Sequence, residues 1–334
     1  MSLWDVLGKL LHVLLVAGVG LTLLAAFLVW AERRVSAFIQ DRLGPNRVGP
    51  AGLLQPIADL LKFVFKEDFS PGHVKKGLYF IAPALSLVPA LLAFCVIPYA
   101  RGMAIAPLNV GILIVFAISS IAVYGVTIGG WASNSKYSLL GGVRSSAQMI
   151  SYELALGLSV IPVLLVVGEL NMEAIIQWQV DHVWLVVPLF PVWLIFLIAS
   201  YAETNRLPFD IPEAEQELVA GYHTEYSAMK FALFFLAEYI HMITASALTV
   251  TLFFGGYHLP FVDAYPPGAW GTVLSGLVFF VKMAFFLFLF IWVRWTLPRF
   301  RYDQLMNLGW KVLLPASLVL IMATAGVLVM LETA

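Results

Sequence analysis

Long apolar stretches alternate with short polar connections along almost the whole chain. A helix needs about 20 apolar residues to cross a bilayer. The pattern predicts eight such spans, and the prolines within several of them are tolerated in bundled membrane helices. The predicted spans are Leu10–Ala31, Gly77–Ala100, a stretch within Leu108–Ser135, Ser145–Gly168, Val183–Tyr201, Phe231–Tyr257, Ala269–Val293 and Val312–Leu331. We therefore expect an all-α integral membrane protein with a single polytopic domain over residues 1–334.

The connections between the spans differ in charge, and this difference predicts their orientation. Most Lys and Arg residues fall in the connections that follow the first, third, fifth and seventh spans. The exceptions are Lys9, Arg101 and Lys282. The positive-inside rule puts the basic connections on the cytoplasmic or matrix side, with both termini outside. Because the pair Arg33–Arg34 follows the first apolar run, we expect that run to be a membrane helix and not a cleavable signal peptide.

The first inner connection, residues 32–77, is long and carries two features. Its stretch GPNRVGP (Gly44–Pro50) is rich in glycine and proline, which favours a fixed irregular turn. In Gln55–Asp68 apolar residues recur at helical spacing between charged ones, which predicts an amphipathic helix too short to span. The helix either lies on lipid or covers a site at the membrane surface.

Composition agrees with a membrane environment. The chain is 61% hydrophobic and 12% charged, with a mean hydropathy of +0.91, whereas an ordinary soluble domain is about 25% charged. The net charge of −1 does not indicate a class of partner. A basic nucleic-acid footprint is absent, because the Lys and Arg residues are divided among the connections. Cys95 is the single cysteine, so an intrachain disulfide, an iron–sulfur cluster and a structural zinc site are excluded. We interpret Cys95 as a packing residue.

Three ionisable residues interrupt the spans: Glu153, Glu238 and Lys282. A charge in a bilayer core costs about 2.5–3.5 kcal/mol on insertion scales, so such residues are expected to be paired or functional. Counted from the predicted span ends, all three lie in the inner half of the bundle and could meet there. Further candidates next to the two glutamates are Tyr152, Tyr239 and His241. Either a buried Lys–Glu pair pins helices together, or the carboxylates form a proton or ion relay.

An acidic inner connection, residues 203–230, contains the stretch DIPEAEQE at 210–217. Pro212 followed by acids is typical of a helix N-terminus, so we expect a short helix to begin there. The connection holds one arginine, Arg206, and the acids Glu203, Asp210, Glu213, Glu215, Glu217 and Glu225. A solvated acidic face is one interpretation; a chain of carboxylates that carries protons into the bundle is the other.

Motifs for bound cofactors are missing from the chain. There is no GxxxxGK[ST] phosphate loop and no GxGxxG after a strand, and the histidines show no HExxH or comparable ligand spacing. We therefore expect no redox cofactor or nucleotide site on this chain alone. Any redox reaction that it serves must be completed by other chains.

Long ordered motifs extend from about Glu32 to Pro315. They are ERR (32–34), GPNRVGPAGLLQPIAD (44–59), NSKYSLLGGVRSSAQMISYE (134–153), AETNRLPFDIPEAEQELVAGYHTEYS (202–227), FFLAEY (234–239) and PRFRYDQLMNLGWKVLLP (298–315). In these motifs the chain resembles the H-type membrane-subunit family of bacterial NADH:quinone oxidoreductase, respiratory complex I, whose mitochondrial form is NADH dehydrogenase subunit 1. Ala228, where the family often has glycine, is a minor departure.

The resemblance implies eight transmembrane helices and a quinone-binding chamber shared with the peripheral arm. By motif, the residues that line or support this chamber would be Arg33, Arg42, Arg47, Asp59, Glu203, Arg206, Asp210, Glu213, Glu215, Glu217 and Glu225. The proton path would continue through Tyr152, Glu153, Glu238 and Tyr239, with His241 and Lys282 as the further buried candidates. The interface with the peripheral arm would include Arg294, Arg299, Arg301 and Asp303.

The resemblance also implies the location and the partners. Quinone is the substrate, while NADH, FMN and iron–sulfur clusters belong to partner subunits. The expected partners are peripheral-arm and membrane-arm subunits and membrane lipid, in a bacterial inner membrane or a mitochondrial inner membrane. Two alternatives remain at this point: an equivalent subunit of a membrane-bound hydrogenase or another non-NADH complex, and a stand-alone ion-coupled transporter. The latter would favour inverted repeats with broken helices, which the sequence does not show.

Overall fold

The computed structural model describes residues 8, 10–212, 218–260, 266 and 268–333. These residues form helices and turns, and the only β-type pairing among them is an isolated bridge between Ala100 and Met103. The helices are α1 (Leu10–Ile39), α2 (Gln55–Phe65), α3 (Lys76–Phe94), α4 (Gly111–Ala132), α5 (Lys136–Val167), α6 (Met172–Asp181), α7 (Phe190–Glu203), α8 (Ala228–Phe253), α9 (Ala269–Thr296) and α10 (Tyr302–Leu331). Helix α1 contains a π-helical stretch at Leu14–Gly20, and α10 contains another at Leu308–Leu313.

Within the described ranges, seven helices are long and apolar enough to cross a membrane: α1, α3, α4, α5, α8, α9 and α10. The predicted all-α membrane fold is thus confirmed. Helix α7 is apolar but has 14 residues, and at 1.5 Å per residue it is shorter than a bilayer core of about 30 Å. The count of eight spans and the placement of the termini stay predictions.

Several helices extend beyond their predicted apolar spans. Helix α1 continues past Ala31, so Arg33 and Arg34 lie on the helix rather than in a loop. Helix α5 begins at Lys136 instead of Ser145. An apolar run marks the part of a helix that suits lipid, whereas the backbone hydrogen bonds continue into flanking polar residues. Depths counted from the ends of apolar runs are therefore unreliable.

Small residues bring helices α3, α4 and α5 into close contact. A Cβ added to Gly125 in α4 would lie 2.6 Å from the Ser86 backbone nitrogen in α3. A Cβ added to Gly141 in α5 would lie 2.6 Å from the backbone nitrogen of Tyr222. Such close backbone approaches are typical of membrane helix packing. The second contact fixes the end of the acidic connection against α5.

We call the end of the bundle that carries Arg33, Arg206, Lys230 and Arg294 the charged end. The connection after α7 folds back into this end and packs against the connection between α9 and α10. The Phe300 backbone N–H donates to the Pro208 carbonyl at 3.1 Å, and the rings of Phe209 and Phe300 stack with centroids 5.4 Å apart. The charged end is therefore a packed layer and not a set of separate loops.

The first inner connection forms the expected irregular turn and amphipathic helix. Gly52 has φ +75°, and a Cβ there would lie 2.2 Å from the Pro45 carbonyl oxygen, so the turn requires glycine. Trp30 in α1 donates to the Ala51 carbonyl, which holds the turn against α1. Helix α2 follows with no buried residue. Its exposed apolar side chains are Ile57, Leu60, Leu61, Val64 and Phe65.

Candidate functional site

A buried cluster of charged groups joins three helices and the acidic connection at the charged end. The Nη1 atom of Arg206 lies 3.0 Å from Glu32 Oε2, and its Nε atom lies 2.5 Å from Glu238 Oε1. Arg294 Nη1 lies 2.5 Å from Glu32 Oε1. The Tyr239 hydroxyl donates to Glu32 Oε2 at 2.8 Å, and its ring lies 4.2 Å from the Arg206 guanidinium carbon. We call these five residues the charge cluster.

The charge cluster holds two arginines and two glutamates and is largely buried. The side chains of Arg206 and Glu32 are 3% and 7% exposed. Burial by itself lowers the pKa of the Arg206 guanidinium, but the carboxylates of Glu238 and Glu32 outweigh it and raise the pKa well above its usual range. Arg206 therefore keeps its charge at any working pH. Any change of protonation in this region must fall on the acids and the tyrosine.

Two further glutamates, Glu153 and Glu203, lie beside the charge cluster, and we call them the acidic pair. Glu153 of α5 accepts a hydrogen bond from the Ser120 hydroxyl of α4. Glu203, at the end of α7, hydrogen-bonds with Ser119 and lies close enough to Glu153 to repel its charge. Two serines of α4 thus serve two carboxylates from different helices.

Two cavities meet at Glu203. The first is also lined by Glu238 of the charge cluster. The second extends from Glu203 toward Thr244. His241 borders both cavities. Buried atoms of His241 (Nε2) and Thr244 (Oγ1) have no protein hydrogen-bond partner in the described part of the chain, so the walls present unsatisfied polar atoms suited to water.

Glu238 and His241 are three positions apart in α8, which places them on one face of the helix, and both line the first cavity. Glu203 links Glu153 and Glu238. It neighbours Glu153 and lines the first cavity together with Glu238.

Lys282 does not meet the glutamates, so the expectation that all three ionisable groups meet in the inner half is wrong. Its ammonium donates to the carbonyls of Phe254 at 2.6 Å and Gly256 at 3.0 Å, and also to that of His258. It lies 4.5 Å from the Trp184 ring. These groups follow the end of α8 that is remote from Glu238. The long side chain of lysine lets the charge lie far from its backbone position, and here it caps a helix terminus.

Tyr152 also points away from the acids. Its hydroxyl donates to the Leu305 carbonyl at 2.9 Å, and its ring packs beside Gly309. Because consecutive residues on a helix face different directions, Tyr152 contacts α10 while Glu153 faces α4. Tyr239 by contrast belongs to the charge cluster.

The proposed chamber residues of the first inner connection lie near the surface of the chain. Arg33 pairs with Asp59 at 2.5 Å and links α1 to α2. Arg42 donates to the Gln40 side chain at 2.8 Å. Arg47 is exposed in the turn before α2. These residues present charge next to the exposed apolar face of α2.

The connection between α9 and α10 meets the acidic connection through a salt bridge. Arg299 Nη2 lies 2.7 Å from Asp210 Oδ2. Arg301 pairs with Asp303 at 2.8 Å, and both side chains are exposed. Arg294 is half-buried in the charge cluster. Of the four residues expected at the peripheral-arm interface, Arg294 and Arg299 thus pair with acids from other elements, whereas Arg301 and Asp303 pair with each other at the surface.

The end of the acidic connection is tied to the segment after α2. Glu225 lies 3.9 Å from His73, and its backbone carbonyl accepts from the Tyr79 hydroxyl at 2.6 Å. Lys230 Nζ lies 3.0 Å from Asp68 Oδ1. The segment that follows α2 is therefore linked to the C-terminal end of the acidic connection and to the first turn of α8. Three further predicted chamber acids, Glu213, Glu215 and Glu217, lie outside the described residues, as does most of the helix expected to begin near Pro212.

Glu32 is the residue that sequence reasoning left out of the candidate site. Its carboxylate accepts from Arg206, Arg294 and Tyr239 and is the centre of the charge cluster. The available signal is a lone carboxylate directly after an apolar run, followed by two arginines. Those neighbouring arginines suggest local pairing, whereas the observed partners come from distant parts of the chain.

A family model and several known proteins match this chain over most of its length. The family model described as NADH dehydrogenase matches residues 11–325. NADH-quinone oxidoreductase subunit 8 of Rhodothermus marinus is 55% identical over 309 residues, which cover 89% of this chain and 90% of the relative. The H-type subunit of NADH-quinone oxidoreductase from Salinibacter ruber is 53% identical over 326 residues, covering 94% and 93%. The same subunit from Rickettsia rickettsii is 53% identical over 311 residues, covering 92% and 90%.

Proposed function

The chain belongs to the NADH dehydrogenase family, and from this premise we propose that it is the subunit of a proton-pumping NADH:quinone oxidoreductase that borders the quinone and couples its reduction to proton translocation. The enzyme is an assembly, and this chain supplies part of one site and not a complete active centre. Arg33, Asp59, Asp210 and Arg299 would face the quinone chamber on the side of the peripheral arm.

The observation that carries the proposal is the continuity of buried ionisable groups. The acidic connection supplies Arg206 to the charge cluster, Glu238 of that cluster borders the first cavity, and Glu203 borders both cavities. Glu203 in turn neighbours Glu153. A structural anchor has no use for so many costly buried charges.

The geometry indicates how a charge change at the chamber would reach the interior. Reduction of a quinone to a quinol consumes protons and alters the charge beside the acidic connection. Because Arg206 stays charged, it would respond by moving and not by losing a proton. Its movement toward or away from Glu238 would change how strongly the charged form of that carboxylate is stabilised. Glu238 would then exchange a proton through cavity water with His241 and Glu203, and Glu203 would exchange one with Glu153.

The proposed function also specifies the partner subunits and the membrane in which the chain lies. NADH, FMN and iron–sulfur clusters would be held by peripheral-arm subunits that contact Arg299, Arg301 and Asp303. Membrane-arm subunits and lipid would cover the apolar outer faces of the helices. The location would be a bacterial inner (plasma) membrane, or the mitochondrial inner membrane for an organellar chain. Nucleic acid has no place among the partners.

The alternatives are less favoured. The relatives are named as subunits of NADH-quinone oxidoreductase, and none of these names points to a hydrogenase or a stand-alone transporter. Purification of the tagged chain from native membranes in mild detergent, with mass spectrometry of the bound proteins, tests the choice. Flavin and iron–sulfur subunits of an NADH dehydrogenase are expected. Hydrogenase subunits, or a chain that purifies alone, would contradict the proposal.

A further inference from the structure

Helix α5 places a buried glutamine against the connection that follows α7. Gln148 is 0% exposed. Its Nε2 atom donates to the Ala202 carbonyl at 2.8 Å and to the Phe209 carbonyl at 2.7 Å. One side-chain amide therefore joins the end of α7 to a residue several positions further along the connection.

The two acceptors of Gln148 bracket the functional part of the connection. Glu203 of the acidic pair and Arg206 of the charge cluster both lie between Ala202 and Phe209 in the sequence. A tie at both ends limits how far these two side chains can move relative to α5. The same helix carries Glu153, the acidic neighbour of Glu203, so Gln148 sets the register between the members of the acidic pair.

Asn205, in the segment between Ala202 and Phe209, makes further contacts with α5. Asn205 has φ +52°, a left-handed conformation that asparagine adopts more readily than most residues. Its Oδ1 atom lies 3.2 Å from Gln148 Nε2, and its Nδ2 atom donates to the Ser145 hydroxyl at 3.4 Å. Positions 145 and 148 are one helical turn apart, so a single face of α5 holds the connection.

The chemistry of position 148 is specific to an amide. The three oxygen acceptors around Nε2 require a donor and would repel a carboxylate. The Oε1 atom of Gln148 is buried and has no protein partner in the described ranges. Burial of an unsatisfied acceptor is unfavourable, so an apolar residue would serve better if the site only filled space.

We propose that Gln148 is a positioning residue that holds Glu203 and Arg206 in register with Glu153 and Glu238. This inference rests on the proposed function, because it concerns the geometry of the same relay. Gln148 touches no reacting atom. It acts through the backbone of the connection, and loosening it lengthens the distances over which protons pass between the acids.

The chain offers a matched control at the opposite end of the bundle. Gln179 in α6 is also buried, at 3% exposed. Its Nε2 atom donates to the Thr251 carbonyl at 3.0 Å, and its Oε1 atom accepts from the Gly255 backbone N–H at 2.9 Å. Replacement of either glutamine by methionine removes a comparable set of bonds, but only position 148 lies beside the relay.

The test uses Gln148→Met, the milder Gln148→Asn and Gln179→Met in the intact complex in native membranes. The amount of complex is measured by NADH oxidation with a soluble artificial acceptor that bypasses quinone. The quinone-dependent rate and the ratio of protons translocated to electrons are then measured per complex. For the Gln148 variants we expect the quinone-dependent rate per complex to fall by about tenfold to a hundredfold, since a misplacement of about 1 Å can cost about a hundredfold in rate. The proton-to-electron ratio should fall as well. The Gln179 variant should lower only the amount of complex.

Unchanged rate and ratio per complex in a Gln148 variant would overturn the inference. Failure of both Gln148 variants to assemble while Gln179→Met assembles would assign Gln148 to folding and overturn it too. Glu203→Gln, measured alongside, separates this inference from the proposed function. If Glu203→Gln lowers the ratio and the Gln148 variants do not, only the positioning role fails. If Glu203→Gln has no effect, the relay itself fails.

Discussion

The Nε atom of Arg206 lies 2.5 Å from Oε1 of Glu238, so a residue of the acidic connection is paired inside the membrane bundle with a residue of α8. The same guanidinium also contacts Glu32 of α1 at 3.0 Å. The connection that borders the proposed chamber and the buried acids are therefore one electrostatic unit. A displacement of the connection necessarily changes the charge environment of both glutamates.

Replacement of Arg206 by methionine should destabilise the protein strongly. Two buried carboxylates would lose their main partner, and loss of one member of a buried ion pair costs about 3–5 kcal/mol. We expect little assembled complex on a native gel and a lower melting temperature. Arg101→Met is the control, because Arg101 is exposed and lies outside both the charge cluster and the proposed peripheral-arm interface. Equal stability of the two variants would show that the charge cluster is not a structural element.

Gly141→Ala should disturb the contact between α5 and the end of the acidic connection. The new Cβ would lie 2.6 Å from the Tyr222 backbone nitrogen, and backbone atoms cannot rotate away as side chains do. Overpacking of this kind costs about 1–3 kcal/mol. Gly157→Ala in the same helix meets no atom within 4 Å and should be neutral. The yield of complex and its thermal unfolding measure the difference, and a neutral Gly141→Ala would contradict the packing described.

Lys282→Met should weaken the end of α8 without changing coupling. Three backbone carbonyls lose the ammonium that satisfies them, and hydrogen bonds to a charged group contribute about 1.5–3 kcal/mol each. We expect reduced thermal stability of the complex. The proton-to-electron ratio of the complex that does form should be normal. A lower ratio with normal stability would put Lys282 on the proton path.

Glu213→Gln and Glu217→Gln should lower quinone-dependent activity and proton pumping without preventing assembly. These two acids lie outside the described residues, and the prediction follows from their place in the acidic connection. The rate of quinone reduction per complex is the measurement. Full activity of both variants would remove these side chains from the mechanism.

The sequence predicts the membrane fold well because each helix that crosses the bilayer needs a continuous run of apolar residues, which is visible locally in the sequence. Each long helix contains an apolar run, and the shared face of Glu238 and His241 follows from helical spacing alone. The amphipathic helix α2 is likewise a local pattern and forms where it is expected. The end of each helix is less predictable, because polar residues continue a helix after its apolar run has stopped.

The pairing within the site could not be predicted, since it depends on distant contacts. Glu32 and Arg206 are separated by 174 positions in the chain, and nothing local to Glu32 indicates which arginine it meets. For Lys282 the position of the backbone is predictable, but the position of the charge is not. A count of residues from one helix end gives its backbone depth but not the direction of a long flexible side chain, which here reaches the backbone beyond α8.

The proton-to-electron ratio of the Glu203→Gln variant in sealed vesicles tests most directly whether the buried acids carry protons. Glutamine can retain a hydrogen bond with Ser119 but cannot take up and release a proton, and Glu203 neighbours Glu153 and borders both cavities. We expect an assembled complex whose proton-to-electron ratio is lower than that of the wild type. A wild-type ratio at a wild-type rate of quinone reduction would contradict the proposed proton relay.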